Sequence, residues 1–167
     1  MTKLHSYPKV YNLGHYAILD LFKGPVLVEE KVDGSQFSFG IIDGEFQARS
    51  RGQQQDVNGG ADKMFHAAIE AMRELPLTPG LIYRGELLTK PKHNTLVYDR
   101  VPEKNVVLYD IDRGIEDFLS YGEKVVEADH LGLEVVPILH EGVVSDFEQM
   151  KGFLAETSFL GGVLIEG

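Results

Sequence analysis

Between Val26 and Ser50, three short runs of β-forming residues follow one another with only Asp33-Gly34 and Asp43-Gly44 between them. An Asp-Gly pair flanked by such runs is a strong local signal for a tight hairpin turn. The spacing therefore predicts a three-stranded antiparallel meander over Val26 to Val32, Gln36 to Ile42 and Glu45 to Ser50. Period-two alternation places Val26, Val28, Glu30 and Val32 on one face of the first strand, and Leu27, Glu29, Lys31 and Asp33 on the other. On the third strand Phe46, Ala48 and Ser50 share a face, opposite Gln47, Arg49 and Arg51.

Beyond the meander the pattern changes. Gly52 to Gly60 is polar and glycine-bearing, hence a loop. From Asp62 to Leu75, Phe65, Ile69 and Met72 recur at helical spacing until Pro76 stops the run. Ser120 with Glu123 and Ser145 with Glu148 have the spacing of capping boxes and open two further helices. Leu81 to Leu88, Asn105 to Ile111, Leu133 to Leu139 and Gly162 to Glu166 read as strands. The sum is an α+β domain of antiparallel sheets with flanking helices. No repeat or linker divides it, and 167 residues with 43% hydrophobic content suit one core, so residues 1–167 are expected to form a single domain. Thr89 to Lys104, carrying Pro91 and Pro102, is a long loop of the kind that is often functional.

Composition removes whole classes of chemistry. There is no cysteine, which excludes a thiolate nucleophile, a disulfide scaffold and a cysteine zinc site. A net charge of -10 argues against passive nucleic-acid binding, which requires a surface excess of Lys and Arg. Any nucleic acid must be gripped locally. No apolar run approaches membrane-spanning length and no signal peptide is evident, so a soluble, cytoplasmic protein is expected, with a monomer favoured.

Lys31 stands just before the first Asp-Gly turn. An ordinary lysine titrates near ~10.4, so a nucleophilic role requires neighbours that disfavour its charged form. On these residues alone, a solvated Glu-Lys pair beside a turn is the simpler reading.

An ordered series of motifs changes that balance. Lys31-Val32-Asp33-Gly34, Ser50-Arg51-Gly52, Tyr83-Arg84-Gly85-Glu86-Leu87, Val106-Val107-Leu108-Tyr109-Asp110-Ile111 and Val163-Leu164-Ile165-Glu166-Gly167 occur in that order. The series resembles the covalent nucleotidyltransferase superfamily of DNA ligases, RNA ligases and capping enzymes, over nearly the whole chain. Val28-Glu29-Glu30-Lys31-Val32-Asp33-Gly34-Ser35-Gln36-Phe37-Ser38 is most similar to the second RNA ligase family, which includes phage and kinetoplastid editing enzymes.

The resemblance implies a ligase-type, ATP-grasp-like adenylyltransferase domain. Lys31 would attack the α-phosphate of ATP, with Mg2+ assisting, to leave a lysyl-AMP phosphoramidate. The AMP would then pass to the 5′-phosphate of an RNA end or of nicked duplex RNA, and a 3′-hydroxyl would displace it. Glu30, Asp33 and Gly34 would line the nucleotide site. Arg51 would contact sugar and phosphate, with Arg49 a competitor for that role; Glu86 would hold the ribose and Tyr109 would stack on the purine. Glu166 would be the metal-proximal carboxylate, although Glu141-Gly142 offers the same dipeptide earlier. The family continues into a basic fifth motif, whereas this sequence stops at Gly167, so it reads as part of a longer enzyme and is expected to seal RNA poorly by itself. A DNA ligase, a capping guanylyltransferase and a non-catalytic module that binds nucleotide or RNA ends are the alternatives.

Overall fold

Alternation along Ser35–Ile42 (β2) sets the centre of the fold: Phe37 and Phe39 are fully buried on one side of the strand, and Gln36 and Ser38 lie on the other. The computed structural model describes residues 2–167 and contains two sheets. Pro25–Glu29 (β1) and Ile138–Val143 (β8) form a small antiparallel pair. The large sheet joins β2 to Glu45–Ser50 (β3), Gln54–Gln55 (β4), Ile82–Leu87 (β5), Val106–Asp112 (β6) and Glu134–Val135 (β7). Its order is β4-β3-β2-β5-β6-β7, antiparallel throughout except for the parallel β6–β7 pair.

One face of the large sheet is apolar because its inward positions are Phe37, Phe39, Ala48, Tyr83, Leu87, Leu108 and Ile111. Two helices cover it. His66–Arg73 (α1) brings Ile69 and Met72 inward at three-residue spacing, with Phe65 from the preceding 3-10 turn stacked 5.5 Å from Phe37. Tyr121–Leu131 (α2) opens with the expected capping box between Ser120 and Glu123. It closes on Gly132, whose left-handed φ of 69° lets its N–H return to the carbonyls of Ala128 and Asp129. The expected α+β class and its helical flanks are therefore present. No helix among the described residues is long and apolar enough to cross a membrane.

The meander is only half right. Asp43 and Gly44, both at positive φ, make the tight β2–β3 hairpin. β1, however, does not pair with β2, whose other neighbour is β5. The strand ends at Glu29 because the next groups find partners elsewhere: the Glu30 N–H bonds the Pro137 carbonyl and the Lys31 N–H bonds the Gly167 carbonyl. Residues 30–34 thus cross from the small sheet to the large one. The Leu133 to Leu139 strand is divided in the same region, with Val136-Pro137 leading from β7 into β8. Gly162 to Glu166 is not a strand. Gly161 and Gly162 both adopt left-handed φ, which bends the chain and leaves one isolated bridge between Thr157 and Leu164. The third helix, Phe147–Gly152 (α3), is capped by Asp146 and not by Ser145, which bonds Gln149 Oε1.

The opposite face of the large sheet holds a buried polar network. Arg84 on β5 is fully buried, with Nε 2.8 Å from Asp112 Oδ2 and Nη1 donating to Ser38 Oγ and the His5 carbonyl. Its Nη2 meets His5 Nε2 at 2.8 Å. A guanidinium can only donate, so that imidazole nitrogen accepts and His5 is neutral; burial, then the Arg84 charge, hold its pKa below the usual value. This network pins residues 2–7 across the sheet, aided by Leu4, which is buried between the side chains of Gln47 and Arg49 that bond its backbone. Removing one member of a buried ion pair leaves its partner's charge uncompensated. Asp112→Ala should therefore cost about 3–5 kcal/mol in denaturant unfolding, and Arg84→Met with Asp112→Leu should recover most of that loss.

Candidate active site

The crossing segment 30–34 carries Lys31 out of one sheet before it joins the next. Its side chain is 60% exposed, so the amine is open to a ligand, and its Nζ lies 2.5 Å from Glu166 Oε2. Glu30 faces the other way, into the protein. It is 2% exposed and its Oε2 accepts the Phe159 N–H, while its Oε1 has no protein partner. Glu30 therefore anchors the segment that delivers Glu166, and is turned away from the Lys31 amine. Asp99 assists, its N–H reaching the carbonyls of Leu160 and Gly161. Glu141, the other candidate for the last motif, lies in β8 opposite Leu27.

Asp33 is held by the long loop 89–104. Its carboxylate accepts the N–H groups of Thr95 and Leu96, each at 2.8 Å, with the Asn94 amide at 3.4 Å, and its own N–H donates to Tyr98 Oη. Burial alone would raise its pKa. The Leu96 and Thr95 amides, then Asn94 and Lys31, outweigh that and hold it below the usual value. Gly34 is required by space and not by φ: a Cβ there would lie 2.5 Å from the Leu87 carbonyl and 2.8 Å from Glu86 Cγ. The same loop fixes Ser35. Thr89 N–H donates to His93 Nδ1, so the ring proton resides on Nε2, which donates to Ser35 Oγ at 2.8 Å.

Glu86 lies on β5 beside Gln36 of β2. Burial pushes its carboxyl up to about 8, against the attraction of Lys31 and with repulsion from Glu166 and Asp33. No protein hydrogen bond contributes to that balance, so the carboxyl is available to a ligand. The β5–β6 register shifts between Arg84 and Gly85, so Tyr109 is the extra residue of a bulge: Arg84 faces Asp110 and Gly85 faces Leu108. Bulges re-aim side chains. Here Tyr109 turns toward Gln36, whose Nε2 donates to its hydroxyl at 2.9 Å, and Gly85 is needed because a Cβ would lie 2.8 Å from the Val107 carbonyl.

Two residues without a role in the sequence reading support this wall. Tyr7 packs edge-on against Tyr109, centroids 5.1 Å apart, and donates its hydroxyl to Asp110. Lys124, 3% exposed, bonds both the Tyr109 carbonyl and Glu29 Oε1. It thereby ties the small sheet to the bulge. Neither Tyr7 nor Lys124 belongs to a local motif, so no spacing signals them.

The two arginines part company. β3 ends at Ser50 and the chain turns back to β4 through residues 51–53, so alternation does not extend to Arg51. Arg51 is exposed in that turn. Arg49 donates to the Leu4 carbonyl at 2.6 Å, and burial, then Arg84, lower its pKa. The structure brings together Lys31, Asp33, Gly34, Glu86, Glu166 and, across Gln36, Tyr109. Among the described residues no group of three His, Cys, Asp or Glu side chains converges as a metal site.

A family model described as RNA ligase matches residues 24–167. A comparison with curated proteins returns no match. Among solved structures, an archaeal ATP-dependent RNA ligase is similar over 83% of this chain and 38% of its own, at 21% identity and a TM-score of 0.58. A putative ATP-dependent DNA ligase from Aquifex aeolicus is similar over 90% and 42%, at 22% identity and a TM-score of 0.61. A lysine variant of the Naegleria gruberi RNA ligase, with ATP and Mn, is similar over 90% and 46%, at 20% identity and a TM-score of 0.65. These likenesses establish the fold. The chain spans less than half the length of each of these structures.

The Glu86 carboxyl has a measurable consequence. Because its folded pKa of about 8 exceeds the ordinary value of 4.5, the folded state holds a proton that the unfolded state releases between those two pH values. Its contribution to stability is present below pH about 4.5 and is lost as pH rises toward about 8. Glu86→Gln should therefore gain melting temperature relative to the parent as pH rises from about 5 to about 8.5, and an unchanged difference across that range would contradict the placement of Glu86.

Proposed function

Because the chain belongs to the RNA ligase family, we propose that it is the adenylyltransferase part of an ATP-dependent RNA ligase in which Lys31 is the nucleophile. The observation that carries this reading is the meeting of an exposed lysine amine with Glu166, beside the unpartnered Glu86 carboxyl and the re-aimed Tyr109 ring.

In the first step Lys31 Nζ forms a bond to the α-phosphorus of ATP, the bond from that phosphorus to the pyrophosphate oxygen breaks, and pyrophosphate leaves. The attacking amine must give up a proton, and Glu166 Oε2 at 2.5 Å is placed to accept it. The purine packs against the Tyr109 ring, which Tyr7 supports edge-on and Gln36 holds by its hydroxyl. Glu86 bonds the ribose hydroxyls. Its lack of a protein partner fits that role, since a buried carboxyl without a hydrogen bond is costly. Arg51, exposed at the end of β3, meets sugar or phosphate. Arg49, already engaged with Leu4, supports the strand from behind.

The donor set also fits a divalent cation brought in by the triphosphate. Magnesium and similar ions are commonly held by one or two carboxylates together with substrate phosphates, and Glu166 is the carboxylate beside Lys31. Such an ion would neutralise phosphate charge and stabilise the departing pyrophosphate. In the later steps a 5′-phosphate oxygen of RNA takes the AMP from Lys31, and a 3′-hydroxyl displaces AMP to form the phosphodiester. Positioning and charge stabilisation supply most of such catalysis.

The test is covalent labelling of the protein, expressed from its complete reading frame, with α-labelled ATP and Mg2+. Label should attach to the parent and fall to background in Lys31→Ala. Glu86→Ala should lower it by about 2- to 10-fold, the value of a lost hydrogen bond between neutral groups. Equal labelling of parent and Lys31→Ala would remove Lys31 as the nucleophile, and transfer from GTP in place of ATP would favour a capping enzyme.

A further inference from the structure

Residues 1–23 lie outside the family match and differ from the rest in charge. Lys3, Lys9 and Lys23 stand there against Asp20 alone, a net of +2, which leaves -12 on residues 24–167. A positive arm on an acidic body is a sequence-level pointer to a polyanion.

The arm also presents stacked rings to solvent. Tyr11 and His15 stack with centroids 4.4 Å apart at 28°, and His15 and Tyr16 follow at 4.4 Å and 30°. Lys9 Nζ lies 5.2 Å from the Tyr11 ring centre. Tyr16 is 79% exposed, and no residue of the 3-10 turn Tyr16–Phe22 is buried, so the rings do not serve the core. They are nevertheless ordered by the backbone. His15 caps the turn, its Nδ1 accepting the Ala17 N–H at 3.0 Å, and its own N–H bonds the Asn12 carbonyl. The ladder begins close to the candidate site. Lys9 is two residues beyond Tyr7, at most about 7 Å of chain, and Tyr7 packs on Tyr109.

His15 is held between the two tyrosines, so the stack is open at its tyrosine ends, most of all at Tyr16; an open ring face at the end of a stack, with a cation nearby, suits an unpaired polynucleotide, because every base has a π-face and every linkage a charge. We propose that Lys9, Tyr11, His15 and Tyr16 form a stacking platform for unpaired bases of the RNA strand whose end is engaged at Lys31. The proposal rests on the RNA ligase reading of Lys31 and adds to it a preference for single-stranded RNA next to the joined end. Val10 and Leu19 nearby are exposed and apolar, and a second copy of the chain is the competing occupant.

The test measures fluorescence anisotropy of a labelled, 5′-phosphorylated single-stranded RNA, and of the same sequence as a blunt duplex, with the full chain. Tyr11→Ala with Tyr16→Ala should weaken single-strand binding by about 5- to 100-fold and leave duplex binding unchanged, whereas Tyr16→Phe should stay within about twofold of the parent. Lys9→Ala should reduce the slope of log affinity against log salt by about 0.7. Unchanged single-strand affinity in the double variant, or an equal loss on duplex, overturns the platform. So does a change in self-association by sedimentation with RNA binding intact. Lys31 labelling by α-labelled ATP in the same samples reports the adenylyltransferase reading separately: its absence in the parent, with the single-strand loss still seen in the variant, would leave the platform standing and reject that reading.

Discussion

The capture of Asp33 by the loop amides of Thr95 and Leu96 is the interaction on which the site depends. Segment 30–34 belongs to neither sheet, so it has no ladder of its own to hold it. Buried or half-buried backbone without a ladder must find partners elsewhere. The segment is fastened at four of its five residues by different parts of the chain: Glu30 by Pro137 and Phe159, Lys31 by Gly167, Asp33 by the loop and Tyr98, and Gly34 by close approach to β5. A small second core of Val32, Leu88, Tyr98, Val107, Val136 and Leu160 closes over these contacts. The lysine projects from a fixed backbone although it stands on no regular element.

The charges around Lys31 follow from the same geometry. A carboxylate bonded by amides is kept ionised, as at Asp33, while Glu86, buried without a hydrogen bond, is pushed up to about 8. Two acidic groups a few residues' reach from one amine are thus in different protonation states at neutral pH. That separation suits a site in which one carboxyl is structural and another waits for a ligand's donor or cation. The overall negative charge of the chain gives no hint of it, because it depends on which carboxyls are solvated and which are not.

Much of the large sheet was legible from local pattern. The β2–β3 hairpin, β5, β6, α1 and the boxed start of α2 arise from alternation, helical spacing and cap chemistry, which act over a few residues. The Gly34-to-β5 and Gly85-to-β6 approaches give spatial reasons for glycines that the motifs contain, yet neither approach can be read from spacing, because the crowding atoms come from Leu87 and Val107. The strand departures have one cause. β1, the Leu133 to Leu139 run and the Gly162 to Glu166 run all have strand-like composition, and composition does not say which partner a strand takes or whether it has one.

The sequence by itself determined the class of the fold and the absence of thiol chemistry, and its likeness to the ligase superfamily pointed to Lys31, Glu86, Tyr109 and Glu166 as candidates. Only the tertiary structure decided that Lys31 lies on a crossing between sheets, that Glu30 turns inward to hold the terminal segment, that Arg49 and Arg51 diverge, and that a bulge aims Tyr109 at Gln36 with Tyr7 and Lys124 behind it. The division is physical. Propensity, alternation and capping are set by neighbours in the chain, whereas the direction of a side chain at the site is set by contacts between residues far apart in sequence, such as Lys31 with Glu166 or Tyr7 with Asp110.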